Sequence, residues 1–302
     1  MNLQKLIGTT TATAKGHLDS ERQNLQSTKN NVDDDSFPPK NNIKTVEQYA
    51  VITEVKKYTV STGKAYMDLT GGFPYMSSRG NKYIVVVYDY DSNAIVAEPI
   101  KSRQAKEIFN AFKKCEQKIT KNNIAPKLYI LDNECSGDLK LGILKNKQKY
   151  ELVPPHQHRR NAAERAIRTY KNHLIAGLAS RDPEFPVTEW DRLLPQCELT
   201  LNLLRSSRIN PKLSSWSYLN GNHHFYKEAL APPGTKIIVH SKPSKRASWA
   251  YHGVQGWYIG GAPEHYRCVR CYIPSTRSEI SCDTVTFIPS YVPLPETSID
   301  VT

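Results

Sequence analysis

Three acidic residues stand in segments that could together build a site for phosphoryl transfer. Asp68 lies in YMDLTG, Asp132 in YILDN and Glu164 in NAAERAIRTYKN. Carboxylates that share a site repel one another, so such a cluster needs cations to neutralise it. Oxygen ligands favour Mg²⁺ or Mn²⁺, and two such ions can assist an in-line displacement at phosphorus. The three acids are therefore the candidate catalytic and metal-binding residues.

Two alternatives to this assignment stay open. The chain has 29 Asp and Glu residues, so any three of them can be ordinary surface acids. Glu134 is a second candidate for the third ligand, because it would share a face with Asp132 if the strand continued. The flanking residues favour Glu164.

A basic helix face accompanies Glu164. Arg168 and Lys171 follow it at four and seven residues, which places all three within about 60° around a helix. Arg159 and Arg160 add positive charge just before the helix. These four basic residues are the candidate contacts to nucleic-acid phosphates. The alternative is a solvated i,i+4 salt bridge between Glu164 and Arg168.

Strands and helices that could position these residues follow from hydrophobic periodicity. Five strands are predicted, at 65–71, 82–90, 94–100, 127–133 and 150–155. Two helices are predicted, at 103–119 and 161–180, with room for another between the last two strands. The order predicts an α/β fold: a five-stranded mixed sheet with helices on both faces.

The rest of the chain divides into regions of different character. The predicted organisation is a flexible N-terminal linker at 1–45, a catalytic core at 46–182, a helical extension at 183–232 and a small β-rich module at 233–295. In the last region, four strands are predicted within TKIIVH, VQGWYIGG, RCVRCYIP and SCDTVTFIP.

Charge favours a polyanionic partner. The 302 residues carry a formal net charge of +12, for which nucleic acid is the commonest explanation. An anionic membrane is the weaker alternative, because the sequence shows no basic amphipathic helix with a bulky aromatic face. No apolar stretch reaches the length of a bilayer span, so no membrane partner is expected. The six scattered cysteines are expected to be reduced thiols.

Three longer segments resemble the signature segments of the retroviral-type integrase core, and look most like those of Ty1/copia-type retrotransposons. They are YMDLTGGFP, YILDNE and PPHQHRRNAAERAIRTYKN, and the resemblance covers roughly residues 46–290. The chain departs from the pattern in having 31 residues between Asp132 and Glu164, fewer than is usual there. It also lacks the glycine that usually precedes the glutamate.

The resemblance implies an RNase H-like fold and an integrase that processes the ends of element DNA and joins them to target DNA. It implies that Asp68, Asp132 and Glu164 bind two Mg²⁺ or Mn²⁺ ions, and that Arg168 and Lys171 grip the element end. It further implies self-association into a homo-oligomer. The expected site of action is the nucleus, or otherwise an intracellular, cytoplasmic particle.

Other functions remain possible at this stage. They are a decayed or host-adopted copy that binds nucleic acid without joining it, a nuclease on the same fold, and a protein-interaction scaffold. His265, Cys268, Cys271 and Cys282 could bind zinc, although core or edge cysteines are favoured over a zinc site. The aromatic residues of the C-terminal region are expected to be core and strand-pairing residues rather than base-stacking platforms; they are Trp249, Tyr251, Trp257, Tyr258 and Tyr266.

Overall fold

A computed structural model describes most of the chain. The described residues are 10–17, 61–120, 125–132, 135–153, 162–225, 227 and 230–289. They form two five-stranded sheets and the helices that pack on them.

The first sheet is mixed and has β1 at its centre. Its strands are β1 (Lys64–Leu69), β2 (Tyr83–Asp89), β3 (Ile95–Ile100), β4 (Leu128–Leu131) and β5 (Lys149–Leu152). The strand order is β3-β2-β1-β4-β5. The first three strands pair antiparallel, whereas β1, β4 and β5 run parallel. The predicted five-stranded mixed sheet is confirmed, with each predicted strand observed to within a few residues.

Six α-helices lie in the described part of the chain. They are α1 (Thr11–His17), α2 (Ala105–Ile119), α3 (Gly137–Lys145), α4 (Ala162–Ala179), α5 (Leu194–Leu204) and α6 (Ser215–Asn220). Short 3₁₀ helices run over Val187–Leu193 and Pro243–Lys245. Among the described residues, no helix has the length and apolar character that crossing a membrane requires.

Helices cover both faces of the first sheet, which completes the α/β architecture predicted from the sequence. On one face, Phe112 of α2 and Ile143 of α3 pack against Met67 and Val85. On the other face, Tyr170 of α4 belongs to a cluster with Val86, Trp190 and Leu201. Strand β2 is apolar on both sides because both of its faces are buried.

The second sheet is antiparallel throughout. Its strands are β6 (Lys236–His240), β7 (Gly253–Gly261), β8 (Val269–Ile273), β9 (Ser278–Cys282) and β10 (Val285–Phe287), in the order β10-β6-β7-β8-β9. The single strand predicted within SCDTVTFIP is wrong: the chain bends at Asp283, so that β9 pairs with β8 and β10 pairs with β6. Trp257 and Tyr272 of this sheet pack into the cluster that contains α4.

Helix α1 lies inside the segment predicted as a flexible linker, whose other described residue is Thr10. The Thr10 hydroxyl accepts a hydrogen bond from the Thr13 N–H at 3.1 Å and so caps the helix. Gly16 packs so closely on α4 that an added Cβ would lie 2.4 Å from the Asn172 carbonyl oxygen. This short segment is therefore held by packing. The division into four regions remains a prediction.

Candidate active site

Asp68 is held near the end of the central strand. It pairs with Val86 of β2, and its neighbours Ala65 and Met67 are buried against the helices on one side of the sheet. Asp68 itself is half-buried, and its Oδ1 accepts a hydrogen bond from the Leu69 N–H at 2.7 Å. A carboxylate on a rigid central strand is suited to hold a fixed position.

Asp132 follows immediately after β4, the parallel neighbour of β1. The pairing of Tyr66 with Ile130 sets the register between these strands. Continuing it by two residues places Asp132 beside Asp68. Both acids thus stand at the same edge of the sheet, where parallel strands end together. The observed register of β1 and β4 therefore accounts for the proximity of the two aspartates.

Glu164 lies in the first turn of α4 and is exposed. Ala163, Ile167 and Tyr170 on the same helix are buried against the first sheet, which aims the start of the helix at the strand ends. Glu134, the alternative third ligand, lies outside the described residues.

The three acids interact electrostatically. Burial raises the pKa of Asp68, and the negative charges of Asp132 and Glu164 raise it further. The Leu69 hydrogen bond and the positive charge of Arg103 act in the opposite direction without overcoming these effects. The structure therefore places all three predicted carboxylates within electrostatic reach of one another, although they come from three separate elements.

The three acids have the donor atoms that a cation needs, but they are not arranged in a preformed metal site. Their donor atoms are all carboxylate oxygens, and their mutual repulsion is relieved by a positive ion. Among the residues that the structure describes, however, no three Asp, Glu, His or Cys side chains are grouped tightly enough to hold a metal ion. Metal binding here would draw the carboxylates together from positions already close to one another.

Arg103 is a site residue that the sequence analysis missed. It lines a cavity of about 200 Å³ together with Asp68, Asp132 and Ser136. Its guanidinium donates to the Thr70 carbonyl oxygen at 3.2 Å and lies 5.1 Å from the centre of the Tyr83 ring. Nothing in its local sequence marks this residue, because only the fold brings the connection between β3 and α2 beside the acids.

The predicted phosphate-binding residues are only partly described. Arg168 and Lys171 are exposed on α4, on the same helix as Glu164. Arg159 and Arg160 lie outside the described residues. The assignment of all four to nucleic-acid contact stays a prediction.

Asp89 and Asp91 alternate with tyrosines in YDYD, a pattern that predicts a solvated turn at the end of the strand. Both acids are instead almost inaccessible to solvent, so this prediction is wrong. The Asp91 carboxylate accepts hydrogen bonds from the backbone N–H groups of Thr62 and Gly63 and from the hydroxyls of Ser61 and Thr62, at 2.7–3.0 Å. Asp91 therefore anchors the start of β1, the strand that carries Asp68.

The C-terminal aromatic residues divide into two groups. Trp257 and Tyr258 are buried, as predicted. Trp249, Tyr251 and Tyr266 are exposed, so for them the prediction of core positions was wrong. They lie in loops between strands rather than on the inner face of the sheet.

The cysteines among the candidate zinc ligands make other contacts in the structure. Cys271 and Cys282 are buried together in the core of the second sheet. Cys268 is less buried, and its thiol lies 3.6 Å from the Tyr266 carbonyl oxygen.

Comparison with known proteins finds likeness only among solved structures. No protein-family model matches the chain, and no curated protein matches its sequence. The structure resembles the HTLV-2 integrase catalytic core domain in complex with magnesium, with 20% identity and a TM-score of 0.41 over 54% of this chain and 99% of that one. It also resembles the BIV integrase catalytic core domain, with 16% identity and a TM-score of 0.38 over 53% and 94% of the two chains.

A third likeness extends beyond the first sheet. It is to a simian T-cell lymphotropic virus intasome in complex with the PP2A regulatory subunit B56 gamma, with 13% identity and a TM-score of 0.42 over 78% of this chain and 79% of that one. Identities and scores this low leave the activity to direct experiment.

Proposed function

We propose that this chain is the catalytic region of an integrase that joins DNA by metal-dependent phosphoryl transfer. The observation that carries the proposal is the register of β1 and β4, which places Asp132 beside Asp68. Burial raises the pKa of Asp68, and the negative charges of Asp132 and Glu164 raise it further. Carboxylates that share a site repel one another, and cations bound there would relieve this repulsion.

The chain's own residues would act mainly by position and charge. Asp68, Asp132 and Glu164 would hold the divalent ions, Mg²⁺ or Mn²⁺. Such a pair, when bound, supplies charge stabilisation to the attacking and leaving oxygens of an in-line displacement. Arg168 and Lys171 on α4 would hold phosphates of the DNA strand. Water would attack in end processing and the new 3′-hydroxyl in joining, so no covalent protein intermediate forms.

Joining of DNA is the direct test. A duplex oligonucleotide with a recessed 3′ end is incubated with supercoiled plasmid and Mg²⁺ or Mn²⁺, and the joined product is measured. The wild-type chain should form it, whereas Asp132→Asn should reduce it at least about a hundredfold, as expected for loss of a group that stabilises transition-state charge.

The control is Asp138→Asn, because Asp138 is an exposed acid in the first turn of α3, close in sequence to Asp132. It should join DNA like the wild type. Equal nicking and joining by the wild type and Asp132→Asn would refute the proposed chemistry.

The narrower assignments extend the same proposal. The quoted segments support a Ty1/copia-type retrotransposon as the source, with element ends and target DNA as substrates. We also propose a homo-oligomer as the active form and the nucleus as the site of action. Sedimentation of the full chain with and without DNA tests the oligomer, and a strictly monomeric chain in both conditions would contradict it.

A second candidate function is nucleic-acid binding without joining. It is favoured by one observation: the described acids do not form a group tight enough for a metal ion. In that case the wild type and Asp132→Asn would bind DNA equally and neither would join it. A nuclease on the same fold would instead cleave the plasmid without forming joined product. Binding that is absent, or insensitive to salt, would favour a protein-interaction scaffold.

A further inference from the structure

The loop that connects β6 to β7, residues 241–252, exposes two aromatic rings. The Trp249 residue is 100% exposed and Tyr251 is 92% exposed. Aromatic side chains usually bury large areas in cores and interfaces, so two exposed rings in one short loop form a candidate contact surface for a partner. We call this segment the 241–252 loop.

The same loop is basic. Its sequence is SKPSKRASWAYH, which contains three Lys and Arg residues and one histidine but no Asp or Glu. Lys242 is exposed and Arg246 is half-buried. The positive side chains of 242–246 are followed within a few residues by the two exposed rings, and no acidic side chain of the loop itself neutralises them.

Backbone hydrogen bonds order this loop. The Ser241 N–H donates to the His252 carbonyl oxygen at 2.9 Å and closes its base. The Ala250 N–H donates to the Ala247 carbonyl oxygen at 3.0 Å, and a 3₁₀ turn spans Pro243–Lys245. An ordered loop loses less conformational freedom on binding, which favours a recognition surface over an idle connection.

We propose that the 241–252 loop binds an unpaired nucleic-acid strand. Trp249 and Tyr251 would stack on bases, while Lys242 and Arg246 would contact the phosphates that flank them. This combination of aromatic rings and cations is the usual basis of single-strand binding without sequence preference. The net charge of +12 attracts the same partner over longer distances.

Anionic lipid is the other partner that rings and cations can suit. Surface binding to membranes generally uses an amphipathic helix whose apolar face is buried among lipids. The 241–252 loop has no α-helix, and its rings are separated by Ala250 and followed by His252. These features favour nucleic acid.

Binding of a fluorescent oligothymidylate by the full chain tests the proposal. Trp249→Ala and Tyr251→Ala should each weaken binding about tenfold, the usual effect of removing one stacking ring. Trp249→Phe should retain most of the affinity, because it keeps an aromatic face. Trp249 is fully exposed, so its replacement leaves the core intact.

Tyr266→Ala is the matched control. Tyr266 is 64% exposed and lies in the connection between β7 and β8, outside the 241–252 loop. This variant should bind like the wild type. The double variant Lys242→Gln/Arg246→Gln should reduce the slope of log affinity against log salt by about 1.4, because each lost phosphate contact on a single strand contributes roughly 0.7.

The outcomes separate this inference from the proposed function. Asp132→Asn should bind oligothymidylate normally, since the loop lies on a different sheet from the three acids; failure to join DNA with normal loop-dependent binding leaves the inference intact. Wild-type affinity in Trp249→Ala would overturn it. So would a Trp249→Ala variant that loses binding to phosphatidylserine vesicles while keeping its binding to the oligonucleotide.

Discussion

Asp68 of the candidate active site lies in an environment that is unfavourable for its charge. Its pKa is raised by burial and by the neighbouring carboxylates, so the folded state holds its proton more tightly than the unfolded chain does. The folded state therefore loses stability as the pH rises from the ordinary value of 3.8 through the raised pKa. At neutral pH an ionised Asp68 therefore lowers the stability of the folded state, and a bound cation would restore it.

Asp68→Asn should therefore stabilise the chain in the presence of a chelator at neutral pH. We expect the midpoint of thermal unfolding to rise by about 1–3 °C, the effect of a fraction of a kcal/mol in a chain of this size. Added Mg²⁺ should raise the midpoint of the wild type and have little effect on the variant, because bound ligand stabilises the folded state. An equal response of both proteins to Mg²⁺ would show that Asp68 does not bind the ion.

At the scale of elements, the position of β1 depends on a carboxylate outside the site. Burial alone would raise the pKa of Asp91, but hydrogen bonds from Ser61, Thr62 and Gly63 lower it overall. Because the folded-state pKa is depressed, this stabilisation is present above the ordinary value of 3.8 and is lost as the pH falls through the lowered pKa.

Asp91→Ala should lower the free energy of unfolding by about 2–3 kcal/mol at neutral pH, since hydrogen bonds to a charged group are strong and their donors would be left unsatisfied. Urea unfolding across a pH series measures this. The variant should also lose less stability below about pH 4 than the wild type does. Asp283→Ala, which removes an exposed acid, is the control. An unchanged acid dependence in Asp91→Ala would contradict this role.

Helix α1 depends on one glycine for its contact with α4. An added Cβ at Gly16 would lie 2.4–2.5 Å from backbone and side-chain atoms of Asn172 and Ala176. Gly16→Ala should therefore weaken docking of α1 by about 1–3 kcal/mol, the usual effect of overpacking. Hydrogen exchange of the amides in 11–17 should become faster. Lys15→Ala changes an exposed residue on the same helix and should leave the exchange rates unchanged.

At the scale of the whole molecule, an ion network joins the first sheet to the helices that follow the core. The Lys118 ammonium of α2 lies 2.8 Å from Glu198 of α5 and 2.9 Å from Glu98 of β3. Glu198 also accepts a hydrogen bond from the Ala97 N–H at 2.9 Å. Burial raises the pKa of Glu198 even beside this lysine, so the carboxylate depends on its partner to stay charged.

Lys118→Met should lower the free energy of unfolding by about 3–5 kcal/mol, because it leaves the Glu198 charge buried without its partner. The double variant Lys118→Met/Glu198→Gln should recover much of this loss, and a double-mutant cycle measured by urea unfolding isolates the coupling. A double variant as unstable as Lys118→Met would show that this ion network does not hold α2, β3 and α5 together.

Local patterns in the sequence determined the strands and helices of the first sheet and the three acids as candidates. Periods of two and of about 3.6 residues are properties of neighbouring residues, so they can be read from the chain directly. The segments that flank Asp68, Asp132 and Glu164 distinguished these three acids from the other acidic residues of the chain. The parallel register of β1 and β4 then explains why the two aspartates stand side by side.

Tertiary structure alone decided which polar and aromatic residues are buried. Arg103 reaches the acids, and Asp91 anchors β1, through contacts between residues distant in sequence. Trp249 and Trp257 are both aromatic residues near β7, yet one is fully exposed and the other is buried against the first sheet. Both are tryptophans, so the residue type does not tell which of them is buried. Burial depends on what packs over a position, and Trp257 is covered by residues from elsewhere in the chain, which include Phe185 and residues of α4.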